Sequence, residues 1–136
     1  MPRRSPLTDV AAVLLLGWAG LLAYVSLPDL LSDDPLWDGG VSVLGAVLAV
    51  GHLAAALGVV RRATWGRRLG LGMGGIGLFG SAVVLITLVP GLERVRGVIG
   101  SSPEMVLLIP AGMVVTYALI VFALYQAREE FPNRPE

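Results

Sequence analysis

One imidazole and one phenol carry most of the chemistry that this chain can offer inside its apolar runs. His52 is the only histidine among 136 residues, and apart from the phenols of Tyr24, Tyr117 and Tyr125 it is the only ionisable group within those runs. A titratable side chain at such a depth marks a functional site by default, because lipid accepts it only where it has a partner. At about 1.5 Å per helical residue, His52 lies close to the middle of its run, and Thr116 and Tyr117 lie near the middle of another. These three residues form the candidate intramembrane polar site. Its functional readings are a proton relay, a ligand contact or a cofactor ligand. The plainer reading is a neutral imidazole joining two helices through one hydrogen bond.

Other chemistry finds little material. A bis-histidine haem needs a second histidine, and the methionines that could complete a His/Met pair, Met73 and Met113, are residue types that usually fill gaps between apolar helices. No cofactor and no metal site is therefore expected. The chain has no cysteine, which removes disulfides, thiolate nucleophiles and thiolate metal ligands. The paired carboxylates Asp33-Asp34 and Glu129-Glu130 read as solvated charge in polar connections. Ser42, Ser81 and Thr87 have no acid and base beside them in sequence that would suggest a triad. No catalytic residue is assigned, and no enzyme is expected. The run Gly70-Leu71-Gly72-Met73-Gly74-Gly75 satisfies a GxGxxG pattern. The dinucleotide fingerprint, however, needs a preceding strand and a helix start open to water, where this run has an arginine cluster before it.

The elements that must position these residues follow from composition. With 55% apolar residues, 15% charged residues and a mean hydropathy of +0.78, the chain lacks the roughly 25% charge of an ordinary water-soluble domain. Four runs free of Asp, Glu and Arg, at 10–27, 39–60, 69–89 and 105–127, approach or exceed the roughly 20 residues that cross a bilayer. They show no polar alternation, so helices are the predicted form. The expected architecture is all-α: one integral membrane domain over 1–136, a bundle of four transmembrane helices at about 8–27, 39–60, 69–89 and 104–127. A short N-terminus (1–7) and a short tail (128–136) flank it.

Helix-end signals support those bounds. Ser5-Pro6 and Ser102-Pro103 pair a capping hydroxyl with proline at the first helical position. Pro28 and Pro90 predict stops after the first and third spans, and Pro132 limits the last. Arg3, Arg4, Arg61, Arg62, Arg67, Arg68, Arg128 and Arg134 fall on one side of such a bundle, and only Arg94 and Arg96 on the other. That bias predicts both termini on the cytoplasmic side. Trp37 and Tyr24 then fall near the outer boundary, and Trp65 and Tyr125 near the inner one.

Small residues mark where helices meet in lipid. Gly70, Gly74, Gly77 and Ser81 form one stripe on the third span, and Gly45, Ala49, His52 and Ala56 form one on the second. A short connection between these spans predicts an antiparallel hairpin. Arg61, Arg62, Arg67 and Arg68, read as a cytoplasmic loop around Trp65, are candidate contacts for anionic lipid headgroups. Between the third and fourth spans, 91–100 reads as an amphipathic turn on the outer interface. A net charge of zero argues against nucleic acid as a partner.

Two functions fit. The first is an accessory subunit, assembly factor or scaffold of a membrane complex, working with a larger membrane-protein partner or as a homo-oligomer. The second is a small dimeric channel or transporter for an ion or small molecule that uses the His52/Tyr117 region. An alphabet rich in Ala, Gly, Arg and Val, without Lys, fits a GC-rich prokaryotic genome and hence a prokaryotic plasma membrane.

Overall fold

The computed structural model describes residues 5–33, 39–92 and 103–131, with the backbone alone at 103–105. Among these residues there is no strand. Four long helices follow one another: α1 (Pro6–Leu30), α2 (Gly39–Val60), α3 (Thr64–Leu88) and α4 (Pro103–Gln126). Short 3-10 turns, Val89–Gly91 and Ala127–Glu130, extend the last two. All four are long and apolar enough to cross a membrane. The shortest, α2 with 22 residues, is about 33 Å long, against a hydrocarbon layer of about 30 Å.

Each helix packs on its neighbours in sequence, and α1 closes on α4, so the bundle is a ring in which α1 and α3 occupy opposite corners. Leu15, Ile120, Leu124, Val59 and His52 are the largest fully buried side chains. The glycine stripe of α3 receives α4, where a Cβ at Gly70 would meet Leu124, one at Gly74 would meet Val121, and one at Gly77 would meet the Tyr117 ring. The α2 stripe turns mainly to α1: the Ser26 hydroxyl stands where a Gly45 side chain would begin. The two stripes do not face one another. The α2–α3 hairpin is closed instead by Gly58 against the Gly66 backbone, and by Gly51 against Met73.

Two boundaries differ from the sequence reading, the end of α1 and the start of α3. The first helix does not stop before Pro28 but contains it. Proline deprives only the carbonyl four residues earlier of its amide, and the last turn is held by Asp29, buried and hydrogen-bonded to Ser42 of α2. The expected arginine loop 61–68 is only three residues long, because α3 starts at Thr64. There Ala63 N–H donates to Gly58 O (2.9 Å) and Arg62 N–H to Val59 O (3.0 Å), the double closure of a Schellman turn. Arg62 fills its left-handed position, with φ of 54°, where glycine is usual. Pro90 lies inside the 3-10 continuation of α3. At the chain's start, Ser5 caps α1 as expected, its Oγ accepting from Leu7 N–H at 3.1 Å.

Arg3, Arg4, Asp34, Trp37, Asp38, Arg94, Arg96, Ser102, Pro132 and Arg134 lie outside the described residues, as does most of the segment 91–100.

Candidate functional site

His52 and Tyr117 meet at the centre of the bundle. They are 2% and 3% exposed, and the Tyr117 hydroxyl is 3.3 Å from His52 Nε2. The ring is set by α2 itself: Nδ1 lies 2.8 Å from the Leu48 carbonyl, one turn earlier. A carbonyl can only accept, so Nδ1 carries the proton, and Nε2 accepts from the phenol. Both nitrogens are thereby occupied, and the lone pair that a metal would need faces the Tyr117 hydroxyl.

The phenol ring joins all four helices. Trp18 of α1 stacks on it with centroids 4.8 Å apart and planes 15° from parallel. The His52 ring is tilted by 54° at 5.8 Å. On the fourth side, Gly77 leaves the room that the Tyr117 ring fills. The cluster is aromatic packing with one polar seam. Thr116, the third candidate, does not join it, since its hydroxyl donates back to Gly112 O at 2.6 Å. Ser81 likewise donates to Gly77 O at 2.6 Å. Ala49 and Ala56 are buried.

Sequence reasoning missed Trp18, although its position in the middle of the first span, far from either interface, set it apart from an anchoring tryptophan. It also missed two polar contacts at the bundle ends. At one, Asp29 accepts from Ser42 inside the helix pair. At the other, Glu130 was read as solvated. Its Oε2 accepts from Thr8 Oγ1 at 2.9 Å and from Ser5 N–H at 3.4 Å, so the last described turn binds the start of α1. The carboxylate thus sits at a helix N-terminus, where the dipole favours negative charge. Phe131 is buried beside it.

Of the four candidate lipid-contact arginines, Arg67 turns inward, and its Nε donates to Leu124 O at 2.9 Å in the last turn of α4. Arg61 and Arg68 are exposed. Arg67 and Glu130 put the start of α1, the α2–α3 turn and the end of α4 at one end of the bundle. Comparison with protein-family models, with curated proteins and with solved structures gives no match for the chain.

Proposed function

We propose that this is a multi-pass protein of a prokaryotic plasma membrane, with both ends cytoplasmic, that serves as an accessory subunit, assembly factor or scaffold for other membrane helices. One observation carries this reading: glycine on the outer faces. Gly17 and Gly20 on α1 and Gly72, Gly75 and Gly80 on α3 are exposed, and a side chain at any of them would meet open space. In lipid, helices associate where small residues bare the backbone to a close approach. The inward glycines of α3 already serve α4; the outward ones are left for a helix of another chain. Because α1 and α3 stand at opposite corners, two such helices can dock at once, as a scaffold requires.

Orientation is supported by charge. Arg61, Arg62, Arg67, Arg68 and Arg128 share the end at which the described chain begins and ends, and arginine favours the cytoplasmic side. The arginines exposed there are suited to anionic headgroups. The reading assigns no reaction of its own to the chain. A channel or transporter through His52 fits less well, because Trp18, Gly77 and the helix walls seal that pair and both imidazole nitrogens are bonded.

The test is purification from native membranes in mild detergent, comparing wild type with Gly75→Leu. The expected result is a stoichiometric partner that is lost from a variant of unchanged fold. A partner-free oligomer that passes ions in liposomes, and stops when His52 becomes Leu, would overturn the proposal.

A further inference from the structure

Ser26 is the exception among the buried hydroxyls of the described residues. Thr8 donates to Glu130, Ser42 to Asp29, Ser81 to Gly77 O, and Tyr117 bonds His52. Ser26, only 5% exposed, makes no hydrogen bond among the described residues. Its Oγ stands against Gly45, in the space where a side chain would begin. A contact with the Gly45 Cα–H can occupy a lone pair of that oxygen; no buried polar side-chain atom is left unsatisfied among the described residues, so the Ser26 Oγ is reached from outside and its proton can be donated there.

The hydroxyl belongs to a groove of about 260 Å³ between α1 and α2, lined by Leu22, Val25, Ser26, Val41, Ser42 and Gly45. Val25 and Val41 are exposed, so the groove opens to the outside of the bundle. Ser42 has already committed its proton to Asp29. Apart from the Ser26 and Ser42 hydroxyls the lining is apolar, so a water there would have only the minimum of two partners. The groove therefore suits a mostly apolar occupant with one hydrogen-bond acceptor.

Depth identifies that acceptor. Ser26 lies four residues before the end of the 25-residue α1, about 6 Å along the axis. If α1 crosses a hydrocarbon layer of about 30 Å, Ser26 lies at the boundary where acyl chains join their glycerol esters. We infer that this groove holds one glycerophospholipid of the outer leaflet, its acyl ester carbonyl accepting from Ser26 Oγ and its first methylenes lying against Leu22, Val25 and Val41. The inference rests on the membrane-spanning reading proposed above.

Native mass spectrometry of the full chain tests it, with palmitoyl-oleoyl phosphatidylglycerol as one probe and its di-O-alkyl ether counterpart as the other. The two share a headgroup, so lipid held only by the arginine end is retained equally. The wild type is expected to keep one diester lipid about fivefold better than the ether, the equivalent of about 1 kcal/mol for one hydrogen bond. Ser26→Ala is expected to bring that ratio to about one, and Ser26→Thr to restore it. A wild-type ratio of one overturns the inference without recourse to any variant. An Ala variant that is helical and monodisperse with the ratio unchanged overturns it as well. A chain that washes off membranes in alkaline carbonate overturns the membrane-spanning reading itself, whereas a chain that stays inserted with a ratio of one overturns only the lipid site.

Discussion

Replacing Tyr117 by Phe separates what its hydroxyl does from what its ring does. The hydroxyl makes one hydrogen bond, to His52 Nε2 at 3.3 Å, slightly beyond the usual range. Side-chain hydrogen bonds between membrane helices average about 0.6 kcal/mol, so a bond of this length should contribute no more than that. The ring does far more. It stacks on Trp18, a contact worth about 0.5–1.5 kcal/mol beyond burial, and it fills the space that Gly77 leaves. Tyr117→Phe is therefore expected to cost about 0.6 kcal/mol. Tyr117→Ala should cost about 3–5 kcal/mol, as truncation of a buried aromatic does. A double-mutant cycle with His52→Leu should return a coupling close to the Phe cost. Equilibrium unfolding in bicelles, followed by far-UV circular dichroism, measures all of these. A Phe variant as unstable as the Ala variant, or a coupling above about 2 kcal/mol, would refute the assignment of the ring as the principal element. So would a stable Phe variant that had lost proton flux in liposomes, because flux through this pair requires the hydroxyl.

Gly66→Ala should cost about 1–3 kcal/mol or more, since its methyl would overlap the Gly58 backbone; the same unfolding assay reads it. Arg62→Gly should raise stability by about 0.5–1 kcal/mol, because relief of about 1–2 kcal/mol at φ of 54° exceeds the entropy that glycine adds to the unfolded chain. Arg67→Ala strips the Leu124 carbonyl of its donor and should cost about 1 kcal/mol, with hydrogen exchange rising first in the last turn of α4. Gly75→Leu, on the outside, should leave the unfolding transition within about 0.5 kcal/mol of wild type while removing a docked partner.

Much of this architecture was legible because four long apolar runs free of Asp, Glu and Arg suit lipid, a solvent that permits little besides helices. The depth of His52 and Tyr117 followed from the same arithmetic, and they do meet. Thr116 shares that depth but not the bond, because a threonine in a helix reaches its own backbone more easily than a neighbour. Partner choice between helices was not legible. Two glycine stripes of matching period, Gly45/Ala49 and Gly70/Gly74, suggested each other, yet spacing records which residues share a face and not the direction in which the face turns. Helix ends were misjudged where tertiary contacts overrode local signals. Asp29 holds a turn past Pro28, and the Gly58–Gly66 approach draws the start of α3 into the apparent loop. Glu130 looked like free charge because its partners, Ser5 and Thr8, are more than 120 residues away in sequence, a separation that no local pattern can express.

That last contact has a consequence for biosynthesis. Translation at about 5–20 residues per second separates Ser5 from Glu130, 125 positions apart, by about 6–25 s. Throughout that interval Ser5 N–H and the Thr8 hydroxyl lack the Glu130 carboxylate, and the flank that α4 will cover stands open. The Glu130 contact therefore orders assembly as well as fastening the ends: the ring of helices can close there only after α4 has been made.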